Sequence, residues 1–314
     1  MTLADQDLRL RLNRLARYFD LDKLAEADCS AKGIQRYYRL SRHAYSRYHD
    51  KGNAVHMGLS EGETWRPEDM FGQAAFVERH LNGARNVLEL ATGRGMNSLW
   101  LARRHPTVQF QGIDLTPAQL NYARKDGADV ANFNADTGDF HDLGTFPPNS
   151  QDLVFIVEAL CHSDRKGKVL EQVHKVLRPG GTFIVIDGYR VTRNTGPEAE
   201  RALRLLARGM AVPDFMPYGA FVDDVRGSPF ELAEQQDRSD QIMPSLRRFE
   251  ALADRFMGTR FKYRLMRAAL PKVLLHNVVS GYLFPTLMEM GAISYWLTVL
   301  QKPDTVPAAA SGTV

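Results

Sequence analysis

The chain has 314 residues, of which 44% are hydrophobic and 25% are charged, a composition typical of globular rather than disordered proteins. Its 40 basic and 37 acidic residues give a net charge of +3, too small an excess to favour a nucleic-acid binder. There is no apolar run near the ~18 residues of a membrane span, and the charged N-terminal residues lack the apolar centre of a signal peptide. Because its two cysteines, Cys29 and Cys161, cannot form a disulfide framework or a zinc-type pair, we expect a reducing, cytoplasmic location.

Residues 1–80 are predicted to form an N-terminal helical cap. Leucines recur at helical spacing between Leu8 and Leu15, and a second segment, residues 34–60, is dense in Tyr, Arg and His. Such an aromatic segment could cover a ligand or pair two subunits, which leaves a homo-oligomer open.

From Asn86 onward, short apolar runs alternate with amphipathic stretches. The runs predict strands at NVLEL (86–90), VQFQGID (108–114), VANFNAD (130–136), DLVFIVE (152–158) and TFIVID (182–187). The stretches between them predict helices over Met96–Arg104, Pro117–Lys125 and Arg165–Leu177. This alternation predicts an α/β fold with a doubly wound, mostly parallel seven-stranded sheet, whose first part spans residues 81–190.

The remaining chain departs from this alternation. Residues 191–270, rich in Arg, Phe, Met and Pro, are predicted to be a helical insertion that covers a substrate. Residues 271–303 read as a helix, a turn at Gly291 and a last strand that returns to the core, and residues 304–314 as a disordered tail. The apolar candidates for a substrate lid are Met210, Phe215, Met216, Tyr218 and Phe221.

A glycine-containing turn follows the first predicted strand in VLELATGRGMNS. Gly93 and Gly95 allow a sharp turn and the close approach of a ligand to the backbone and to the next helix N-terminus. Asp114, which ends the next strand, could accept hydrogen bonds from both hydroxyls of a ribose. Together these features predict a nucleoside site rather than a ligand-free turn, although Ser98 replaces the third glycine of a dinucleotide fingerprint.

These residues resemble the class I S-adenosylmethionine-dependent methyltransferases. Glu89, Gly93 and Gly95 match the first motif of that family. In this sequence Ala91 stands where the motif usually has its first glycine. The match continues through GIDLTPAQLNYAR, through GDFHDL with FPPNSQDLVF, and through VLRPGGTFIVID. The resemblance implies S-adenosylmethionine as the cofactor.

The resemblance also implies a role for each matching residue. Glu89 would lie near the methionine ammonium, Gly93 and Gly95 would line the cofactor, Asp114 would hold the ribose, Leu115 would pack on the adenine, and Asp139 and Phe140 would meet the adenine edge and face. Asp136 is a rival of Asp139 for the acidic position, because the segment ADTGD contains both.

One stretch, DLVFIVEALCHSD, is similar to the segment after the fourth strand in the sterol and prenyl C-methyltransferases. That group carries an acid followed four residues later by a histidine, here Glu158 and His162. The resemblance implies C-methylation of an isoprenoid or other lipophilic molecule, with Glu158 as the base or the stabiliser of a carbocation. His162 could relay a proton or contact the cofactor. Tyr38, with the neighbouring tyrosines Tyr37, Tyr45 and Tyr48, could line the cation or simply pack in the core.

Other candidates are less specific. Arg201, Arg204 and Arg208 share a helical face that is either solvated or a clamp for a prenyl diphosphate, and Arg36, Arg39 and Arg42 offer a second clamp. His56 and Trp65 are further candidates, and the VDDV run at 222–225 is too weak a pattern to predict a metal.

Three other functions remain open at this stage. The first is an O- or N-methyltransferase of a secondary metabolite. The others are a binding protein that keeps the fold without turnover and a nicotinamide-dependent oxidoreductase.

Overall fold

The computed structural model describes residues 3–44, 55–191, 196–258, 263 and 272–304. The helices are α1 (Leu3–Ala16), α2 (Leu21–Ala25), α3 (Ala31–Ala44), α4 (Gly72–Glu78), α5 (Met96–Arg104), α6 (Pro117–Asp126), α7 (Lys166–Val176), α8 (Gly196–Gly209), α9 (Tyr218–Arg226), α10 (Ser239–Met257) and α11 (Lys272–Glu289). The strands are β1 (Asn86–Leu90), β2 (Gln109–Asp114), β3 (Phe133–Thr137), β4 (Gln151–Val157), β5 (Leu177–Arg190), β6 (Glu231–Asp237) and β7 (Ile293–Gln301). Short 3-10 helices lie at Pro67–Phe71 and Leu160–His162.

The seven strands form one sheet in the order β3-β2-β1-β4-β5-β7-β6. The first five are parallel, and β7 runs antiparallel to both β5 and β6. The order reverses between β1 and β4, because the chain leaves β1 toward β2 on one side and returns to β4 on the other. In sheets of this kind, ligands bind outside the carboxyl ends of the strands at such a reversal.

Both faces of the sheet are buried, as the continuous apolar runs predict. Val87, Phe110 and Phe155 belong to one core cluster, whereas their chain neighbours Leu88 and Val154 belong to a second one on the opposite face. Successive side chains of a strand alternate between faces, so a strand that is covered on both sides needs apolar residues at nearly every position. The predicted doubly wound α/β architecture is therefore confirmed.

Three predictions about individual elements are corrected. The segment 191–270 is not purely helical, because it contains β6, the edge strand next to β7. The third strand begins at Phe133, three residues later than the run at 130–136 indicates. The fifth strand extends well beyond 182–187 at both ends. The predicted turn at Gly291 and the last strand are found where the sequence places them, and the tail 305–314 lies outside the described residues.

Helices from both ends of the chain cover one face of the sheet. Helix α1 contacts α8 and α11, and α3 contacts α6 and α11. Arg11 on α1 forms an ion pair with Glu250 on α10, and it donates a hydrogen bond to the carbonyl oxygen of Tyr282 on α11 at 3.0 Å. The predicted cap and insertion thus pack together, and none of the described helices is both long and apolar enough to cross a membrane.

Gly112 in β2 lies directly beneath the turn that follows β1. A Cβ atom at this position would lie 2.6 Å from Cγ2 of Thr92, a distance that real contacts do not reach. We expect Gly112→Ala to lower the free energy of unfolding by about 1–3 kcal/mol through overpacking, measured by urea denaturation. Gly62→Ala is the matched control, because nothing lies within 4 Å of a Cβ there. Equal stability of the two variants would contradict this packing account.

Candidate active site

Two cavities meet at the carboxyl edge of the sheet. The polar chamber, of about 480 Å³, is lined by Gly93, Asp114 and Phe140 among others, and the apolar chamber, of about 500 Å³, lies between the sheet end and α10 and α11. Tyr38, Val55, Glu158 and His162 line both chambers. The three residues predicted to be catalytic therefore lie together where the chambers meet.

The turn after β1 forms the floor of the polar chamber. The Gly93 N–H donates to Asp114 Oδ2 at 2.9 Å, and the Thr116 N–H donates to Asp114 Oδ1 at 2.7 Å. Burial raises the pKa of the Asp114 carboxyl, and these two N–H groups act in the opposite direction. Ala91 also lines the chamber, with a left-handed φ of 52° that a glycine would adopt more easily. Asp114 is thus held at the strand end by backbone donors from two elements.

Glu89 and Gly95 support this turn from behind and do not line the chamber. The Glu89 carboxylate accepts hydrogen bonds from Thr92 Oγ1 at 2.5 Å, Ser98 Oγ at 2.6 Å and Asn97 Nδ2 at 3.2 Å. Gly95 precedes α5 with φ 76°, and a Cβ there would lie 3.0 Å from Ala123 Cβ. Both residues therefore support the turn rather than line the cavity.

The other end of the polar chamber contains the residues predicted to meet an adenine. Leu115, Asp139 and Phe140 all line it. His141, which the sequence reading missed, bridges Asp139 Oδ1 at 2.7 Å and Ser163 Oγ at 2.8 Å. Asp136 lies outside the chamber, 3.6 Å from Arg124, so the geometry favours Asp139 over its rival.

Gln119 on α6 is a second residue that the sequence reading missed. Its Oε1 accepts from Arg94 Nε at 2.9 Å, while its Nε2 is buried and has no hydrogen-bond partner among the described residues. Gln119 lines the polar chamber, so a polar ligand there could accept from this amide. The one sequence signal for a role of Gln119 is its place in the first turn of α6, the helix that follows Asp114.

Glu158 follows β4 with a left-handed φ of 47°. Its Oε1 accepts from the Met57 N–H at 3.0 Å and from the Tyr295 hydroxyl at 2.8 Å. Burial raises the pKa of Glu158 to about 8, the charge of Asp187 adds to the rise, and the two hydrogen bonds oppose it. The side chain therefore titrates near neutral pH at the junction of the chambers.

His162 and Tyr38 form a hydrogen-bonded pair at the same junction. The His162 Nδ1 lies 3.0 Å from the carbonyl oxygen of Ala211, which can only accept, so Nδ1 carries the proton. Nε2 then accepts from the Tyr38 hydroxyl at 3.1 Å. Burial lowers the pKa of His162 to about 4, so the ring is neutral at pH 7. In this arrangement His162 holds Tyr38 rather than carrying a positive charge.

Aromatic and aliphatic side chains make up most of the apolar chamber wall. The rings that line it belong to Tyr37, Tyr38, Phe215, Phe249, Phe256 and Phe284. Asp187, at the chamber end of β5, is a carboxyl group that the sequence reading missed. Burial raises the pKa of Asp187 to about 6. The N–H groups of Cys161 and Gly188, which donate to its carboxylate at 2.8 Å each, oppose this rise.

The predicted arginine clamps do not line the apolar chamber. Arg201 pairs with Asp22 at 2.8 Å, Arg204 is exposed, and Arg208 lines the polar chamber instead. Arg36 and Arg39 are exposed on α3. The described residues hold one arginine in the apolar chamber wall, Arg255 on α10, whose side chain is exposed. The clamp hypothesis is therefore corrected for these described arginines.

The remaining predicted candidates divide in three ways. His56 lines the polar chamber, and its Nδ1 lies 3.0 Å from the Met57 carbonyl. Trp65 lies outside both chambers beneath Arg248. Tyr45, Tyr48 and the side chain of Arg42 are not among the described parts of the chain. The described residues contain no group of three or more side chains that could together hold a metal ion.

The chain resembles proteins of known activity along most of its length. A family model described as a methyltransferase domain matches residues 88–185. The S-adenosyl-L-methionine-dependent Diels-Alderase iccD of Talaromyces variabilis is 26% identical over 71% of this chain and 81% of that protein. The ajmaline N-methyltransferase of Rauvolfia serpentina is 24% identical over 89% of this chain and 98% of that protein. The sterol 24-C-methyltransferase erg-4 of Neurospora crassa is 25% identical over 75% of this chain and 65% of that protein.

A solved structure has a similar fold. The geranyl diphosphate C-methyltransferase of Streptomyces coelicolor A3(2), in complex with Mg²⁺, geranyl diphosphate and S-adenosyl-L-homocysteine, superposes with a TM-score of 0.63. The two proteins are 14% identical, and the match covers 87% of this chain and 97% of that one, a likeness of fold alone.

The comparisons and the sheet together show that the chain contains a methyltransferase domain and that it resembles the class I S-adenosylmethionine-dependent methyltransferases. Within that class it resembles the sterol and prenyl C-methyltransferases, and its methyl donor is S-adenosylmethionine.

The polar chamber fits this methyl donor. Asp114 lies at the strand end with a carboxylate suited to a ribose, and Phe140 and Leu115 offer apolar surface for a purine. The unpartnered amide of Gln119 gives a buried donor that a sugar or purine acceptor could use. We therefore assign the polar chamber, as a proposal, to the donor.

We expect Asp114→Asn to weaken the binding of S-adenosylhomocysteine at least tenfold, because the amide cannot accept from two ribose hydroxyls as a carboxylate does. Isothermal titration calorimetry measures this. Asp136→Asn is the matched control, because that residue lies outside the chamber and should leave the affinity unchanged. Equal losses in both variants would contradict the assignment.

The buried carboxyl of Glu158 should also make stability depend on pH. In the unfolded chain a glutamate releases its proton near pH 4.3, whereas folded Glu158 holds it up to about pH 8. The free energy of unfolding should therefore fall as the pH rises through this window. His162, with a folded pKa of about 4, acts in the opposite direction below about pH 6.5.

Between pH 6.5 and 8 the Glu158 effect should dominate. We expect urea denaturation to show a loss of about 2 kcal/mol over this range in the wild type and a flatter profile in Glu158→Gln. Parallel profiles for the two proteins would show that Glu158 is not protonated in the folded state.

Proposed function

We propose that this methyltransferase transfers the methyl group to a carbon atom of an isoprenoid or similarly lipophilic small molecule. The observation that carries the proposal is the shared wall: Tyr38, Glu158 and His162 line both the polar chamber and the apolar one. A donor in the first chamber and an apolar acceptor in the second would therefore meet beside one buried carboxyl group.

The apolar chamber suits a lipophilic acceptor in size and chemistry. Its volume of about 500 Å³ lies within the range of small-molecule sites, and aromatic and aliphatic side chains together provide most of its wall. With an acceptor bound, apolar walls of this kind would keep water from the reacting atoms and so limit side reactions of an electrophilic methyl group. The chamber thus favours an acceptor whose reacting part is uncharged and apolar.

Methyl transfer to an alkene leaves a positive charge on the acceptor, and the protein has groups that suit such a charge. S-adenosylmethionine supplies an activated methyl group on a sulfonium centre. The rings of Tyr38, Phe215 and Phe249 line the chamber, and an aromatic face is worth about 0.5–2 kcal/mol toward a nearby cation. Glu158 offers a carboxylate that can stabilise the charge and then accept a proton from the neighbouring carbon.

Glu158 must be ionised to act in this way. Its pKa of about 8 means that a large share is protonated at pH 7 in the absence of ligand. A positive charge nearby favours the ionised form, so a cationic donor in the adjoining chamber would lower this pKa toward neutrality. Activity should therefore increase with pH up to about 8.

Only the outer part of the chamber suits an anionic group. Arg255 is the one arginine that the described residues place in its wall, and its side chain is exposed. A prenyl diphosphate would therefore place its phosphates near Arg255 and its hydrocarbon tail toward Glu158. An uncharged isoprenoid would fit the same chamber without using Arg255.

Methylation of nitrogen or oxygen is the second candidate. One support is the similarity to the ajmaline N-methyltransferase, which extends over 89% of this chain. The other is the pair of acidic side chains, Glu158 and Asp187, that line the chamber. An amine would benefit from the same negative charges as a carbocation. The position of label in the product, on carbon or on a heteroatom, distinguishes the two reactions.

We expect Glu158→Gln to lower kcat by a factor of about 10²–10⁴ on isoprenoid acceptors, because the amide cannot accept the proton. Transfer of labelled methyl to sterols, prenyl diphosphates and prenylated aromatics measures this. Glu171→Gln on the surface of α7 is the matched control. Label found only on oxygen or nitrogen would reject the carbon assignment, and a Glu158→Gln enzyme of full activity would reject the role of Glu158.

A further inference from the structure

The two carboxyl oxygens of Glu158 have different surroundings. Oε1 accepts two hydrogen bonds, from the Met57 N–H at 3.0 Å and from the Tyr295 hydroxyl at 2.8 Å. Oε2 accepts none from the described part of the chain, and it is not sealed from the cavities that Glu158 lines. One oxygen is therefore fixed by the protein, and the other is left for a ligand.

The group that fixes Oε1 is itself held in place. Tyr295 is the third residue of β7, paired with Gly188 of β5, and its side chain is completely buried. Gln73 Nε2 donates to the Tyr295 hydroxyl at 3.1 Å and to the Met57 carbonyl at 2.6 Å. Because the tyrosine oxygen accepts from Gln73, its own proton is directed to Glu158. Gln73 thus links both donors of Oε1 on the side away from the chambers.

The backbone of Glu158 fits this account. Its φ of 47° lies in the left-handed region, which is disfavoured for a residue with a Cβ atom. The Glu158 N–H donates to the Ile186 carbonyl at 2.8 Å, so the strained backbone is fixed by the adjacent strand β5. Strain of this kind persists where the surroundings determine the conformation, and it is common at functional sites.

We propose that Tyr295 is a positioning residue, whose hydroxyl occupies Oε1 of Glu158 so that Oε2 alone meets the substrate. This inference rests on the proposed function. In the deprotonation step, a C–H bond next to the cationic carbon breaks. Its electron pair forms the new C=C bond, and the proton goes to Oε2, which leaves a neutral Glu158 carboxyl.

Several titratable groups surround Glu158 and bear on its ionisation. Asp187, three residues before the end of β5, opposes a second negative charge, while the Tyr295 hydroxyl on β7 favours the ionised carboxylate. Cys161 and neutral His162 lie in the short 3-10 helix after β4, where the Cys161 thiol has a strongly raised pKa. Loss of the Tyr295 hydroxyl therefore removes a group that specifically favours ionised Glu158, with the other neighbours unchanged.

The test compares the pH profiles of three proteins. Tyr295→Phe should lower kcat at pH 7.5 about tenfold with KM unchanged, and the rise in activity should move about one unit toward higher pH. The activity should return near pH 9.5. Tyr189→Phe is the matched control, because Tyr189 is a buried tyrosine of β5 that lines neither chamber and whose hydroxyl has no partner among the described residues. A Tyr295→Phe profile that overlays the control would overturn the proposal.

A second measurement does not depend on turnover. Carbon-13 NMR of glutamate-labelled protein follows the Glu158 carboxyl, which is assigned by its loss in Glu158→Gln. Its titration midpoint should be about one unit higher in Tyr295→Phe than in the wild type and in Tyr189→Phe. If no isoprenoid is methylated and this shift is present, the proposed function fails and the positioning stands. An unchanged midpoint overturns the positioning even where isoprenoids are methylated.

Discussion

Burial of the Glu158 carboxyl group is the constraint on which the rest of the site depends. A carboxyl group away from water must lose its charge or gain hydrogen-bond donors, and this one does part of each. Two donors hold Oε1, yet burial still raises the pKa to about 8. The result is a carboxyl group that gains or loses its proton near physiological pH and lies where two cavities meet.

The fold brings this carboxyl to that place through the reversal of strand order. Because β1 and β4 are neighbours, the turn after β1 and the residues after β4 share one edge of the sheet. The helices of the N-terminal cap and of the segment after β5 then close over this edge. Tyr38 on α3 reaches His162, and the Ala211 carbonyl after α8 orients the same ring. One wall can therefore serve both a donor chamber and an acceptor chamber.

The sequence carried enough information for the parallel part of the sheet and for the donor side of the site. Doubly buried strands are apolar at nearly every position, and the residues around Gly93 and Asp114 lie in local motifs. The strand β6 was missed because it is an edge strand with only partly buried residues, ELAEQQD, which has no apolar signal. Tyr295, Gln73 and Asp187 could not be found by local reading, because their partners are distant in the sequence. The arginine clamps failed for a similar reason, since the pairing of Arg201 with Asp22 depends on the packing of α8 against α2.

The most direct measurement of the central claim is a crystal structure with S-adenosylhomocysteine bound. We predict that both ribose hydroxyls contact Asp114, that the purine lies against Phe140, and that the sulfur faces the junction lined by Glu158 and His162. A sulfur atom directed away from that junction, or a product molecule seated outside the polar chamber, would contradict the two-chamber account.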